Sequence, residues 1–179
     1  MENSVGKNSV ARITRLCEQS RLNPKLVQWK TEKLLEPYRD AKQIVRRNVI
    51  SEERIVNRAL CLIREKYHKY QMGLGHRTKS IDFIIMEVLG TEWADRIIDK
   101  VIEQMIEINI CPEYVEILDR TYLSLDKKSS EIIMDELNLS KSSYYRKKEQ
   151  AVTLFGILLW TTMLEESGCC PKELTEKSG

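Results

Sequence analysis

The eight residues from Lys141 to Lys148 combine charge and hydrogen-bonding capacity in a pattern that suits nucleic acid. Four of the eight are Lys or Arg, none is acidic, and the other four are Ser or Tyr. Arg and Lys bind phosphates and the edge of guanine, while Ser and Tyr hydroxyls bind phosphates and, less often, bases. A solvated surface helix usually mixes Glu with Lys instead. The octet therefore predicts a surface that binds double-stranded DNA. The alternative is a helical hairpin whose basic face contacts only solvent.

A helix-turn-helix over residues 129–151 would present these side chains. Ser129 and Ser140 can each cap a helix, because a side-chain oxygen accepts a hydrogen bond from an otherwise unpaired backbone N–H. Asn138 lies where the chain must turn, and Asn tolerates the left-handed backbone conformation better than most non-glycine residues. A unit of this kind inserts the N-terminal part of its second helix into the major groove. We therefore expect the helix that begins at Lys141 to contact base edges.

The helical register sorts the side chains of this unit into inward and outward sets. Three residues at helical spacing form the apolar face of the first helix: Ile132, Ile133 and Leu137. Leu139 should pack between the helices, and the second helix should turn inward its residues Tyr144, Ala151 and Leu154 or Phe155. The outward set is Lys141, Ser142, Tyr145, Arg146 and Glu149. The predicted DNA-binding residues are Ser140, Lys141, Ser142, Ser143, Tyr145, Arg146, Lys148 and Glu149.

Residues 137–151, LNLSKSSYYRKKEQA, resemble the C-terminal helix-turn-helix of the ArpU and RinA group of phage-type transcriptional regulators. That unit is similar in turn to the promoter-reading domain of sigma factors. The group's pattern is apolar-Gly-apolar, then Ser-x-Ser-Thr-Tyr-Tyr-Arg and a downstream Ala. This chain keeps Ser140, Ser142, Tyr144, Tyr145, Arg146 and Ala151. Upstream, residues 34–42 are weakly similar to the N-terminal helix of the same group.

The chain departs from the group's pattern at three places. Asn138 stands where Gly is usual, Ser143 stands where Thr is usual, and Lys147 or Lys148 falls where an apolar residue often packs. The resemblance implies a sequence-specific transcriptional regulator encoded by a phage or prophage, with RNA polymerase as a further partner. Two alternatives stay open: the small terminase subunit of a phage, and a helical protein-interaction module. In small terminases the helix-turn-helix is typically N-terminal, whereas here it is C-terminal, which favours the regulator.

The whole chain predicts an all-α fold, because apolar residues recur three and four apart and Gly and Pro are scarce. The predicted helices cover 9–19, 24–48 with a break at Pro37, 51–70, 80–89, a segment from the cap at Thr91 to a break at 109–112, and 113–123. Residues 72–76 are predicted to form a loop. A boundary near Cys111 would separate an N-terminal helical region, 1–110, from the helix-turn-helix domain, 111–166, with a flexible tail at 167–179.

Charge is distributed unevenly, although the net charge is only +2. Residues 1–48 carry eleven Lys or Arg against five Asp or Glu, whereas residues 81–120 carry three against ten. A basic end and a basic second helix around an acidic middle indicate localised binding surfaces. For the N-terminal region we consider a second DNA contact and oligomerisation.

The last helix continues well past its basic octet into a largely apolar stretch, from Ala151 to Leu164. A helix that is apolar on more than one face must be buried from several sides. Either the N-terminal helices of the same chain or a second subunit could cover it. Helix-turn-helix proteins commonly bind paired half-sites as dimers, so we expect a homodimer.

The remaining reactive residues predict neither an enzyme nor a metal site. Five cysteines contain no C-x-x-C pair and there are only two histidines, so four clustered zinc ligands are not expected. The Gly73-Leu74-Gly75 segment lacks the strand and the Lys-Ser/Thr of a phosphate-binding loop. We therefore expect no cofactor. An odd number of cysteines fits reduced thiols in the cytoplasm, and we expect Cys61 and Cys111 to be buried. No apolar run is long enough to cross a membrane.

Overall fold

The structure, a computed structural model, describes residues 2–39, 41, 54–57, 60–61, 64, 88–89, 91–126 and 128–168. Within these ranges the regular structure is entirely helical, which confirms the predicted all-α fold. The helices are α1 (Glu2–Gln19), α2 (Pro24–Leu35), α3 (Glu92–Ile108), α4 (Glu113–Leu118), α5 (Ser130–Glu136) and α6 (Lys141–Glu166). A π-helical turn, Asp119–Leu123, directly follows α4.

The predicted helix ends around α2 and α3 are confirmed by their capping bonds. The side chain of Asn23 accepts a hydrogen bond from the backbone N–H of Leu26 at 3.1 Å, and Pro24 is the first helical residue. Thr91 caps α3 in the same way, with its hydroxyl oxygen 3.2 Å from the backbone nitrogen of Ala94. Asn109 then ends α3 in the left-handed conformation, at a φ of 44°. Each cap satisfies a backbone group that the helix itself leaves unpaired.

One predicted helix start was wrong, one predicted break is confirmed, and one predicted helix changes its type part-way. α1 begins at Glu2 rather than at residue 9, because the only breaker in that segment, Gly6, costs a helix about 1 kcal/mol and does not end it. α2 ends at Leu35, two residues before Pro37, which agrees with the predicted break. The helix expected over residues 113–123 changes to a π-helical turn after Leu118.

Arg39, four residues after the end of α2, contacts this π-helical turn. The guanidinium of Arg39 donates to the carbonyl oxygen of Ser124 at 2.6 Å and to that of Thr121 at 3.2 Å. The N–H of Ser124 reaches back five residues to the carbonyl of Asp119. The wider turn places Tyr122 in the core, and Arg39 satisfies carbonyls that an α-helical continuation would have used.

Several predicted elements lie largely outside the described residues. These are the end of the second helix, 42–48, the helices at 51–70 and 80–89, and the loop at 72–76. Where that part of the chain is described, at 54–57, 60–61, 64 and 88–89, it is helical.

α6 runs through the centre of the fold and is covered by other helices of the same chain. All eight residues from Ala151 to Leu158 are buried. α2 packs so closely that a Cβ added at Gly156 would lie 2.0 Å from Oγ1 of Thr31. α3 covers the far end, where Thr162 donates to the side chain of Gln104 at 3.4 Å. Of the two possibilities for the apolar stretch, packing within the chain is therefore the one observed.

The main core cluster contains residues from both sides of the predicted domain boundary. Leu35 and Val101 precede that boundary, while Tyr114 and Phe155 follow it, and all four belong to one cluster. The boundary at Cys111 stays a prediction. At the other end, Ser167 is buried, and residues 169–179 of the predicted tail lie outside the described residues.

The expectation that Cys61 and Cys111 are buried was wrong. Cys61 is exposed and Cys111 is half-buried, whereas Cys17 is the buried one. Cys111 lies between two helices, where its thiol donates to the Glu113 carboxylate at 2.8 Å. Among the described residues no cluster of His, Cys, Asp and Glu could hold a metal ion. In the same ranges no helix is long and apolar enough to cross a membrane.

Candidate nucleic-acid interface

The turn between α5 and α6 closes on Asn138, as the sequence predicts. Asn138 is left-handed, with a φ of 50°. Its N–H bonds to the carbonyl of Asp135 at 3.1 Å, and the N–H of Leu139 bonds to the carbonyl of Met134 at 2.8 Å. These two bonds define a Schellman motif, in which two otherwise unpaired carbonyls at the end of α5 find donors. The motif reverses the chain within three residues and so sets the angle at which α6 begins.

A small apolar cluster holds the two helices of the unit together. It consists of Ile117 from α4, Ile133 from α5 and Tyr144 from α6, each almost fully buried. The half-buried side chains packed against it are Met134, Leu137 and Leu139. The Tyr144 hydroxyl lies 3.3 Å from Oγ1 of Thr121, so its polar end is not left unpaired. The inward positions of Ile133, Leu139 and Tyr144 are thereby confirmed.

The inward position predicted for Ile132 was wrong. Its side chain is 50% exposed. Neighbouring residues of a helix point about 100° apart, and the cluster lies under Ile133, so Ile132 projects to solvent. α5 has only seven residues, too few to bury a wider face.

Ser140 caps α6 and thereby fixes its first turn. Its hydroxyl oxygen lies 3.3 Å from the backbone nitrogen of Ser143 and 3.3 Å from the hydroxyl of Ser142. Ser129 caps α5 in the same way, with its hydroxyl 3.4 Å from the backbone nitrogen of Ile132. Both predicted caps are confirmed. The basic octet therefore begins at the first residue of a capped helix.

The outward set of α6 is exposed as the register predicts. All five members are exposed side chains, namely Lys141, Ser142, Tyr145, Arg146 and Glu149. They form two adjacent rows, because residues four apart lie on one side of a helix. We call this surface the octet face. Of the other predicted DNA-binding residues, Ser140 is exposed next to it, whereas Ser143 and Lys148 are half-buried at its edges.

Lys147 and Lys148, one of which falls where the group's pattern often has an apolar residue, each contact a polar or aromatic partner. Lys147 places its ammonium 2.5 Å from the carboxylate of Glu113, with only 20% of its side chain exposed. Lys148 lies over the ring of Tyr122, with its ammonium 5.2 Å from the ring centroid, at a distance suited to a cation–π contact. Each lysine stem can pack on apolar neighbours while the charge meets a partner. Neither lysine therefore opposes the packing of α6.

Glu113 is held in its ionised form by this arrangement. Burial alone would raise the pKa of its carboxyl group, but hydrogen bonds from Cys111 and Lys147 outweigh burial and lower that pKa to about 2. For Cys111, burial and the nearby carboxylate raise the pKa of the thiol to about 11, so the thiol stays protonated at neutral pH. The charge of Lys147 is thus neutralised inside the fold, while Lys141 and Arg146 point to solvent.

The acidic side chains near the end of α5 are also paired. Glu136 accepts from Arg120 at 2.6 Å and from Lys128 at 2.6 Å, and Arg120 also binds Glu116 at 2.8 Å. On the first turn of α5, Glu131 is exposed and near Lys141. The pKa of Glu131 is lowered by its own backbone N–H, by the two serines beside it and, more weakly, by Lys141. Among the acidic groups in these contacts, Glu131 is the one that lies near Lys141, at the start of the octet face.

Comparison with known proteins identifies the family. Residues 63–155 match the family described as "Protein of unknown function (DUF1492)", and the match covers just over half of the chain. The chain belongs to the DUF1492 family. No curated protein and no solved structure matches it. The DUF1492 match includes α4, α5 and α6 as far as Phe155, so it contains the Schellman turn and the whole octet face.

Residues whose long-range contacts support α6 and the π-helical turn were not predicted. Arg39 precedes the matched segment, and a single arginine in a basic stretch carries no signal of a specific partner. Glu113 and Tyr122 lie within the match, but only their contacts with Lys147 and Lys148 give them a role. The two lysines were the visible signal, since a basic residue at an inward position requires a partner.

Proposed function

We propose that this chain is a sequence-specific DNA-binding transcriptional regulator that inserts the first turns of α6 into the major groove. The observation that carries the proposal is the octet face, which places two cations and three hydrogen-bonding side chains together at the start of a capped helix. The Schellman turn and the buried ring of Tyr144 hold that helix at a defined angle to α5. The unit therefore has the parts of a helix-turn-helix in the order that such proteins use.

The chemistry of the octet face suits the major groove, which admits an α-helix and exposes a distinct pattern of donors and acceptors for each base pair. Arg146 lies one turn after Ser142, and Tyr145 lies one turn after Lys141. Arg146 is suited to a guanine edge, and Lys141 and the hydroxyl groups are suited to phosphates. Glu149 can accept from the amino group of cytosine.

The wider biological setting follows from the resemblance to the ArpU and RinA group. It supports a phage or prophage origin and RNA polymerase as a further partner. We also propose a homodimer, because two half-sites about 34–36 Å apart double the contacts with DNA. A phage small terminase subunit and a helical module for acidic protein partners remain the alternatives.

The proposal is tested by selecting bound duplexes from a random DNA library with the full chain, followed by gel-shift titration of the variants. Arg146→Ala and Lys141→Ala should each weaken binding to the selected duplex, by about 1–3 kcal/mol for a base contact. A contact with phosphate should instead lower the slope of log K against log salt by about one. The matched control is Lys100→Ala, because Lys100 is a half-exposed lysine near the far end of α6, beside Glu165 and Glu166.

Two outcomes would reject the proposal. If the library yields no enriched sequence and the chain does not bind duplex DNA, the helix-turn-helix unit serves another purpose. If Arg146→Ala, Lys141→Ala and Lys100→Ala bind the selected duplex alike, DNA does not lie on the octet face. Light scattering separates the regulator from the terminase subunit, since a monomer or dimer fits the former and a ring of eight or more subunits fits the latter.

A further inference from the structure

The outward side of α2 is basic and carries an exposed tryptophan. α2 turns Val27, Thr31 and Leu35 towards the core. Its opposite side exposes five side chains, namely Lys25, Leu26, Trp29, Lys30 and Lys33. Residues four apart lie on one side of a helix, so Lys25, Trp29 and Lys33 form one row and Leu26 and Lys30 form a row beside it. We call the surface of these two rows the α2 face. Trp29 is 57% exposed, so the described residues leave more than half of its surface open to solvent.

The charges of the α2 face are available to a partner. Lys33 pairs with Glu36 at 2.8 Å, but neither Lys25 nor Lys30 forms an ion pair with any residue that the structure describes. Glu32 is half-buried and accepts from Gln28 at 3.5 Å. The two unpaired lysines therefore give the α2 face an excess of positive charge.

α2 lies on the same side of α6 as the octet face. Val27 and Thr31 approach α6 at Gly156, where an added Cβ would lie 2.7 Å from Cγ1 of Val27. Gly156 comes eleven residues after Tyr145 and seven after Glu149. At 3.6 residues per turn, both separations bring a residue to within about 20° of the same direction. α2 thus crosses the octet side of α6 about 16 Å beyond Tyr145.

The C-terminal end of α2 also approaches the helix-turn-helix unit. Arg39 donates to carbonyls of the π-helical turn, and Tyr122 of that turn lies under Lys148. Burial raises the pKa of Tyr122, and the carboxylates of Glu32 in α2 and of its C-cap Glu36 raise it further, so this end of α2 lies near the ring. A DNA duplex that lies on the octet face and extends along α6 therefore reaches α2.

We propose that the α2 face is a second phosphate-binding surface, which contacts the DNA backbone beside the groove that α6 enters. This inference rests on the proposed function. A duplex extends on both sides of its major groove, which is about 12 Å wide, so DNA seated on the octet face extends towards α2, and there Lys25 and Lys30 meet negative charge. Phosphate contacts of this kind orient a protein on DNA without reading sequence. Trp29 lies between the two lysines and comes close to the DNA with them.

The test uses a mixed-sequence duplex of about 30 base pairs, since phosphate contacts act on any sequence. The double variant Lys25→Gln/Lys30→Gln should lower the slope of log K against log salt by about 1.8, at about 0.9 per phosphate contact, between about 50 and 200 mM salt. The matched control is Arg96→Gln/Lys100→Gln, which removes the same charge from α3. The control should leave the slope near that of the unmodified chain.

Trp29 provides a second, independent measurement. Trp93 is buried and Trp160 is half-buried, so Trp29 is the most exposed of the three tryptophans. The mixed-sequence duplex should change the tryptophan fluorescence of the chain, and most of that change should disappear in Trp29→Phe. An equal change in both proteins would place DNA away from α2.

The inference and the proposed function fail in different ways. If Arg146→Ala weakens binding while Lys25→Gln/Lys30→Gln keeps the full salt slope, the α2 face does not contact DNA and the helix-turn-helix proposal stands. If the lysine variant instead shifts the chain from dimer to monomer in light scattering without changing the slope, the face belongs to a second copy and the inference is overturned. If the unmodified chain binds no duplex, both proposals fall together.

Discussion

Asn138 is the residue on which the geometry of the two helices depends most directly. It is one of three non-glycine residues with a positive φ among those the structure describes, together with Arg21 and Asn109. The left-handed conformation costs an ordinary L-residue roughly 1–2 kcal/mol, a cost that Gly avoids and Asn partly avoids. The ArpU and RinA pattern that residues 137–151 resemble has Gly at this position, and the observed φ of 50° explains why Asn can stand there.

Substitution at Asn138 should therefore follow backbone preference rather than side-chain size. We expect Asn138→Ala to lower the free energy of unfolding by about 1 kcal/mol, because Ala must adopt the left-handed conformation without local hydrogen bonding. Asn138→Gly should leave that free energy within about 0.5 kcal/mol of the original, because Gly adopts this conformation readily. Urea denaturation of the three proteins measures the difference. Equal losses in both variants would mean that the Asn side chain, not the backbone, stabilises the turn.

Lys147 and Lys148 show how two charges can occupy half-buried positions on α6. Lys147 meets Glu113 and Lys148 meets the ring of Tyr122. Both partners belong to the segment between α3 and α5, so the sequence of α6 alone could not identify them. The consequence for function is that the freely exposed cations of the octet are Lys141 and Arg146.

At the scale of elements, α6 is both the second helix of the helix-turn-helix and the centre of the core. Of its first ten residues only Tyr144 is buried, whereas Ala151 to Leu158 are buried throughout. α2 crosses this buried stretch at Gly156. A movement of α2 against α6 would therefore be transmitted to the octet face through one rigid helix.

The crossing of α2 and α6 depends on the absence of a side chain at Gly156. Although Ala favours helix by about 1 kcal/mol over Gly, Gly156→Ala should lower the free energy of unfolding by about 1–3 kcal/mol. The added Cβ would lie 2.0 Å from Oγ1 of Thr31 and 2.7 Å from Cγ1 of Val27, and both atoms belong to a packed helix. Thermal or urea denaturation provides the measurement.

A double-mutant cycle with Thr31→Ala provides the control for this prediction. Removing the Thr31 hydroxyl relieves the shortest contact, so the double variant should lose less stability than the two single variants together. Strict additivity would mean that the helices separate freely and that the close contact does not limit the crossing.

At the scale of the whole molecule, the helix-turn-helix unit and the N-terminal helices share one core. The cluster that contains Phe155 and Tyr114 also contains Ile13, Leu35 and Val101. A polar contact connects the same parts, since Arg39 donates to two carbonyl oxygens of the π-helical turn and its end. The N-terminal helices therefore hold the position of α6 as well as covering it.

The predicted domain boundary can be tested with a fragment of residues 111–168. We expect this fragment to lack a cooperative unfolding transition, because it would expose the buried side of α6 that α2 and α3 cover in the full chain. Circular dichroism during urea denaturation distinguishes the cases. A sharp transition with the same midpoint as the full chain would establish residues 111–168 as an independent domain.

Local signals predicted the parts of the fold that depend on a few adjacent residues. Capping residues placed the starts of α2, α3, α5 and α6, and Asn138 placed the turn, because these features need only the backbone and one side chain. The outward set of α6 followed from helical spacing. Ile132 was assigned wrongly because spacing defines an apolar side but not how much of it the neighbouring helices cover.

The sequence by itself therefore determined the all-α fold, the helix-turn-helix unit and the exposed octet face, since all three follow from local propensity and periodicity. The tertiary structure alone decided what covers α6, where Lys147 and Lys148 find partners, and that α2 lies on the same side of α6 as the octet face. These features join residues far apart in the chain. Their energies depend on which surfaces meet, and no pattern within a single helix specifies its neighbour.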